Sequence, residues 1–298
     1  MKKSITLAKH AGFCYGVKRA VETTKKIKLE NPYRPVCVMG ELIHNSDVIN
    51  ELSKLGIKTV YDIPVCAENG ECGVCVIRSH GLSQTEIEKI SAGGYEVVDM
   101  TCIDVKKVQQ KAIELAKEGS LVVIFGKSEH PEVMAISANA KMYSNDVYVI
   151  SDVLEINDEF AAKIKAAKSV GVVSQTTQQI KNFQSVVSKL TELTKELKVY
   201  NTICPSTSLR QNEAIELAQK SDLMVVVGSK KSANTTHLSE ILKDITKTIH
   251  IENEQELDCY AKIISNAETI GVTAGASTPQ NVIEAVIKKL EIQQNHNL

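Results

Sequence analysis

The groups best able to do chemistry in this 298-residue chain are its eight cysteines, and their spacing sorts them into sets. Cys14, Cys102 and Cys204 each stand where a β-rich run gives way to an amphipathic helix, at ITLAKHAGFCYG, YEVVDMTC and KVYNTICP. Three thiolates at equivalent points suit a [4Fe–4S] cluster. Four cysteine ligands would leave such a cluster only electron transfer, whereas three leave one iron open to water or a substrate oxygen, as a Lewis acid that also carries electrons. Gly12 and Gly16 allow backbone close to the Cys14 sulfur, and Pro205 suits the first turn of a helix. A lone cysteine at a strand end is ordinarily a small buried apolar group, and only the recurrence argues otherwise.

Of the other five, Cys66, Cys72 and Cys75 form C-x5-C-x2-C, the spacing of part of a zinc or ferredoxin site. Cys72 and Cys75 lie in or entering the strand CVIRSHG, where residues three apart face opposite sides, which argues against shared ligation. Cys37, in VCVMG, and Cys259, in a helical stretch, read as core.

The elements that position the first set recur. Strand–loop–helix junctions follow one another along the chain, and three series run in parallel: Cys14, Cys102, Cys204; His44, His130, Asn234; and His80, Thr176, Ser277. A common period of about 95 residues implies three copies of one α/β unit. The expected fold is α/β, with units at 1–98, 99–198 and 199–298 in a pseudo-threefold trefoil around a central iron–sulfur cluster. In open α/β sheets ligands bind beyond the carboxyl ends of the strands, where helix N-termini also point. His44, His80, His130, Thr176, Ser232, Asn234 and Ser277 fall at such ends, and their imidazole, hydroxyl and amide donors could hold a compact diphosphate. Glu132, just after Pro131, reads either as an exposed carboxylate favoured by a helix dipole or as a proton donor beside the cluster.

Composition narrows the partners. Lys plus Arg is 35 against 36 for Asp plus Glu, so no global field draws the chain to nucleic acid or an anionic membrane. No apolar run is long enough for a membrane helix, and the N-terminus lacks the apolar region of a secretion signal. A cytoplasmic protein is expected, with its cysteines reduced, metal-bound or buried. VVIFGKS is not a phosphate-binding loop of the Walker type, since Leu121 occupies the required glycine position, and no G-x-G-x-x-G follows a strand.

The segments GFCYGVKRA, the His-Asn of ELIHNSDV, RSHG, the Thr-Cys of DMTC, HPEV, SQTT, GSKKSAN and GVTAGAS occur together and in order. In this the chain resembles the 4-hydroxy-3-methylbut-2-enyl diphosphate reductase family over essentially its whole length. The resemblance implies a three-lobed α/β fold and one [4Fe–4S] cluster on Cys14, Cys102 and Cys204. It implies substrate contacts from His44, His80, His130, Thr176, Ser232, Asn234 and Ser277, and a proton delivered by Glu132, with His130 and Thr176 in its relay. The activity implied is two-electron, two-proton reduction of an allylic hydroxyl, bound at the open iron, to give isopentenyl and dimethylallyl diphosphates. This is the last step of the methylerythritol phosphate route to isoprenoids, with electrons from ferredoxin or flavodoxin. Two departures stand out: the cluster motif usually continues Pro-Leu-Val where this chain has Ile103-Asp104-Val105, and Ala233 replaces a serine many relatives carry. A hydro-lyase using the iron only as a Lewis acid, and a non-catalytic iron–sulfur sensor, are the alternatives.

Overall fold

The computed structural model describes residues 4–66 and 72–295. Strands and helices alternate along it, except that β4 follows β3 with no helix among the described residues between them: β1 (Ser4–Leu7), α1 (Tyr15–Glu30), β2 (Val36–Met39), α2 (Ser46–Lys54), β3 (Ile57–Val60), β4 (Val74–Ile77), α3 (Gln84–Ala92), β5 (Glu96–Asp99), α4 (Ile103–Lys117), β6 (Leu121–Phe125), α5 (Pro131–Lys141), β7 (Val147–Ile150), α6 (Asp158–Ala166), β8 (Val170–Ser174), α7 (Ile180–Leu193), β9 (Leu197–Tyr200), α8 (Pro205–Ala218), β10 (Leu223–Val227), α9 (Ala233–Lys243), β11 (Lys247–Ile251), α10 (Ala261–Ser265), β12 (Thr269–Ala274) and α11 (Gln280–Asn295). Strand–helix alternation of this kind demands parallel pairing, because each helix returns the chain to the starting edge. Among the described residues the strands form three four-stranded parallel sheets, ordered β3-β2-β4-β5, β7-β6-β8-β9 and β11-β10-β12-β1. Read this way, each sheet has the same order, second-first-third-fourth. The α/β repeat inferred from spacing is therefore present in the pairing.

Its phase differs from the sequence reading, which opened each unit with the strand before a cysteine. Pairing puts that strand last: β5 lies beside β4, β9 beside β8, and β1 beside β12. Alternation reveals a strand, but the sheet edge it joins is decided by which edge stands open, and spacing carries no record of that. By contacts the described chain forms two compact units: residues 4–18, 43–50 and 205–295, and residues 19–42, 51–66 and 72–204.

In the first unit, alternate residues of β10 face opposite layers, as the period of a strand requires. Leu223, Val225 and Val227 pack with Ile283, Val286 and Leu290 of α11, while Met224 and Val226 pack with Ala214, Leu238 and Leu242 of α8 and α9. The buried side of α8 carries the polar Thr207, Arg210 and Gln211 beside Ala214 and Ala218, which leaves its apolar periodicity weak. In the second unit β6 divides likewise, Leu121, Val123 and Phe125 toward α6 and α7, Val122 and Ile124 toward α4 and α5. A capping box starts α3, with Ser83 and Glu86 exchanging bonds.

Three cysteine readings need correction or refinement. Cys66 and Cys72 are joined in a disulfide rather than reduced or metal-bound. Their sulfurs pass Gly94, where a Cβ would come within 2.7 Å of Cys72 Sγ. Cys37 and Cys75 are cross-strand partners on β2 and β4, both in the core. Hydrogen-bonded to Cys37 and buried, the free Cys75 thiol is pushed well above its ordinary range, which leaves it a neutral packing group. Cys259 is exposed, because the 3-10 helix Glu254–Tyr260 that carries it buries only Leu257. Among the described residues no helix is long and apolar enough to cross a membrane.

Candidate active site

The three cysteines of the first set occupy one structural position. Each follows the last strand of a sheet and directly precedes a helix: Cys14 before α1, Cys102 before α4, Cys204 before α8. Each donates its backbone N–H to the carbonyl two residues beyond the sheet's third strand: Cys14 to Ala276 at 3.3 Å, Cys102 to Ser79 at 3.0 Å, Cys204 to Thr176 at 2.9 Å. None is in a disulfide, and all three are partly exposed. Three thiols, each at a helix start where the dipole favours an anion, are a donor set that fits an iron–sulfur cluster.

In the second unit, His130 caps α5, its Nδ1 accepting from Glu132 N at 3.2 Å. The His80 and His130 rings meet edge to face, 5.4 Å between centroids. Pro131 starts the helix turn and directs Glu132 inward, where only 1% of it is exposed. Thr176 N–H donates to Glu132 Oε1 at 2.7 Å, and Thr176 Oγ1 donates to Oε2 at 2.8 Å. Burial pushes the Glu132 carboxyl up to about 7, against the opposing pull of both Thr176 bonds. The exposed-carboxylate reading of Glu132 is thus excluded. Since Thr176 O also holds Cys204 N, one residue touches both the acid and the backbone of a cysteine in the set.

The first unit carries the remaining groups. Ser277 Oγ donates to His44 O at 3.4 Å, bringing those two loops together beside the Cys14–Ala276 bond. Ser232 precedes α9 as its cap residue without a side-chain cap bond, and Asn234 lies two residues on, both buried. Asn234 Nδ2 is buried with no hydrogen-bond partner among the described residues. Such a donor costs free energy unless something else accepts its hydrogens, which marks a place for an acceptor-rich ligand. A Cβ at Gly228 (φ +136°) would run into Thr278 Oγ1, so the chain can leave β10 toward Ser232 only through glycine.

Strand register also corrects two of the three spacing series. His44, His130 and Ser232 each lie four residues after the glycine ending a first strand, so Ser232 is the third member, and Asn234 matches Glu132. Thr176 matches Ser79 and Ala276, one residue ahead of His80 and Ser277.

Sequence reasoning missed the side chains that hold the cysteine loops. Arg19 of α1 donates to the carbonyls of Thr101 at 2.8 Å and Met100 at 3.4 Å, while Asp99 accepts from Thr101 N at 2.9 Å. Lys106 and the bonds from Thr101 hold the Asp99 carboxyl below its usual range, against the cost of its burial. Glu213 of α8 accepts the N–H groups of Lys9 and His10, ahead of Cys14. Thr202 Oγ1 bridges Ser174 N and O, ahead of Cys204. The signal available was one of position: charged or hydroxylic residues one or two turns into a cysteine-led helix, or just before the cysteine.

Residues 5–291 match the family described as LytB protein. A 4-hydroxy-3-methylbut-2-enyl diphosphate reductase of Trichlorobacter lovleyi is 39% identical over 98% of this chain and 99% of its own length. One of Campylobacter hominis is 39% identical over 96% and 98%. Among solved structures, an (E)-4-hydroxy-3-methyl-but-2-enyl diphosphate reductase superposes at TM-score 0.69 with 35% identity, covering 97% of this chain and 99% of the other. The diphosphate reductase of Plasmodium falciparum superposes at 0.85 with 25% identity, over 97% and 88%. With a match running through all three sheets and all three cysteines of the set, this chain belongs to the LytB family.

Proposed function

We propose that this protein is an iron–sulfur reductase that converts (E)-4-hydroxy-3-methylbut-2-enyl diphosphate to isopentenyl and dimethylallyl diphosphates. Two electrons and two protons enter, the allylic carbon–oxygen bond breaks, and the hydroxyl leaves as water. Cys14, Cys102 and Cys204 would hold one [4Fe–4S] cluster, and a ferredoxin or flavodoxin in the cytoplasm would feed it. The observation that carries the reading is the shared position of the three cysteines, each bonded through its N–H to the same point of its own sheet. The reductase names of the full-length relatives supply the substrate.

When bound, the cluster supplies low-potential electrons and a Lewis-acidic iron for the leaving oxygen. The chain's own residues do the rest. Diphosphate oxygens are acceptors, and Asn234 Nδ2 offers a buried donor without a protein partner. Ser232, Ser277, His44, His80 and His130 add hydroxyl and imidazole groups at strand ends, with helix N-terminal N–H groups behind them. Glu132 supplies the proton. With its carboxyl raised to about 7 it holds a hydrogen through much of the neutral range. Protonated Oε2 would donate to Thr176 Oγ1, whose own hydrogen turns outward to the substrate hydroxyl, while Thr176 N–H keeps Oε1 in place. Burial of this pair excludes bulk water from the relay.

Anaerobic purification with iron and sulfide analysis, followed by turnover of the hydroxyl substrate with a chemical reductant, tests the reading. Four irons per chain and formation of both products are expected. A chain that takes up no iron, or that turns over without any reductant as a hydro-lyase would, overturns it.

A further inference from the structure

Asp104, the second residue of α4, places Oδ2 3.2 Å from Cys204 Sγ. Its other oxygen, Oδ1, is held by Lys107 Nζ at 3.1 Å, one turn along the same helix. Carboxylate and sulfur come from different cysteine loops, so the helix that starts at Cys102 reaches across to Cys204, and both residues lie in the second unit. As a side chain near a helix N-terminus with an i,i+3 lysine, Asp104 would be unremarked anywhere on a surface. Its distance from a sulfur proposed to hold the cluster is what sets it apart.

We propose that Asp104 tunes the cluster's reduction potential downward, by fixing a negative charge beside the Cys204 sulfur. The proposal rests on the reading that Cys204 ligates the cluster. In the thiol state the Cys204 S–H donates to the carboxylate. A cysteine that ligates metal is a thiolate and has released that proton. The carboxylate then faces a sulfur with no hydrogen to give, next to a centre that gains one negative charge on each reduction. Like charges at this range disfavour the added electron, and iron–sulfur potentials follow net charge and the bonding around the sulfurs. Lys107 sets where the carboxylate sits and offsets part of the charge. The outcome is a centre harder to reduce and, once reduced, a stronger donor to an allylic system. The Ile103-Asp104-Val105 departure from Pro-Leu-Val thereby acquires a consequence, since a leucine at 104 would bring no charge.

The test is a potentiometric titration of the anaerobically reconstituted full chain, followed by electron paramagnetic resonance, with iron and sulfide measured on each sample. Asp104→Asn keeps the shape and removes the charge. One-electron reduction should become about tenfold more favourable, an upward move of about 59 mV, at unchanged iron content. Asp104→Glu keeps the charge and should titrate close to the parent, a rescue that packing alone would not give. If Asp104→Asn holds no cluster, Asp104→Leu is titrated in its place, with the same upward move expected. An unshifted potential in a cluster-bearing Asn or Leu variant overturns the proposal. Loss of the cluster from both, with retention in Asp104→Glu, overturns it in favour of a carboxylate needed to hold iron. A parent chain that takes up no cluster instead overturns the ligand assignment itself.

Discussion

Glu132 and Thr176 stand 44 residues apart in sequence and are joined by two bonds, from Thr176 N and Oγ1 to the two carboxylate oxygens. Two donors on a buried carboxylate would ordinarily hold its acidity near the usual range. Here desolvation outweighs them and the carboxyl rises to about 7. The pair therefore combines a carboxyl that keeps its proton up to about neutral pH with a hydroxyl bonded directly to it. Its chemistry follows from burial, and Pro131 and the His130 cap produce that burial by turning the first residues of α5 inward.

Glu132→Gln keeps the volume and can still accept from Thr176, but it carries no transferable proton. Iron content and substrate binding should survive while turnover falls about 10²–10⁴-fold, the range for loss of a general acid. Single-turnover kinetics on the reconstituted protein checks this. Turnover within a few-fold of the parent would remove Glu132 from the reaction.

The same carboxyl makes a stability prediction for the metal-free chain. Between about 4.5 and about 7 the folded protein binds a proton at Glu132 that the unfolded chain has released. Stability should therefore fall as pH rises through that window, by about 3 kcal/mol for a shift of this size. Glu132→Gln should lack this component, so its stability relative to the parent should grow from pH 5 to pH 8. Urea unfolding at several pH values measures the difference, and parallel curves would contradict the assignment.

Serine at Cys14, Cys102 or Cys204 should abolish or strongly deplete cluster absorbance under anaerobic conditions, because each thiolate occupies the same point of its sheet. Serine at Cys66 and Cys72 should leave the absorbance intact and lower stability, by about 2 kcal/mol for a loop this short. Equal loss of iron in both sets would revive the local C-x5-C-x2-C as the metal site.

Asn234→Ala removes a buried amide donor that has no protein partner among the described residues, so its folded state loses no bond. Binding of the diphosphate should weaken by roughly 1.5–3 kcal/mol, the worth of a bond to a charged group, with thermal stability unchanged or raised. His44→Ala and His80→Ala should weaken binding similarly with iron retained. Calorimetric titration gives the affinities, and parental binding in all three variants would move the pocket elsewhere.

How far these residues were legible in sequence depends on whether their signal was local. The cysteine set was legible, because a strand end followed at once by a helix start is written in a dozen residues. The three-sheet architecture followed from the same punctuation. Thr176 was assigned one residue out of phase, since spacing cannot see that its carbonyl, like those of Ser79 and Ala276, receives a cysteine N–H. Ser232 and Asn234 were both singled out from the sequence, but their match to His130 and Glu132 needed strand register. The pairing of β1 with β12, the Cys66–Cys72 disulfide beside Gly94, and the Arg19 and Glu213 contacts all join segments distant in sequence or returning through a loop. Nothing in periodicity or spacing encodes them. The acidity of Glu132 was hidden for the same reason, as only Thr176 and the surrounding core distinguish it from an exposed helix-end carboxylate.

Thr176 separates proton relay from placement, because its backbone and side chain do different work. Its N–H holds Glu132 Oε1 and its carbonyl holds Cys204 N, and neither depends on the side chain. Its hydroxyl alone bonds Oε2 and can face the substrate. Thr176→Val keeps the branched shape and both backbone bonds, so iron content and the Cys204 loop should persist. It leaves one buried carboxylate oxygen short of a donor, which should raise the Glu132 carboxyl further and lower stability by about 1–3 kcal/mol. Thr176→Ser restores the hydroxyl at the cost of a methyl group. If the hydroxyl relays the proton, valine should lose about 10²-fold or more in turnover at saturating substrate and serine should recover most of it. If Thr176 only positions Glu132, the two variants should differ little in turnover at saturation, and valine should act through stability alone. Pre-steady-state rates for both, beside unfolding curves for both, distinguish these outcomes, and equal rates would end the relay in favour of direct transfer from Glu132.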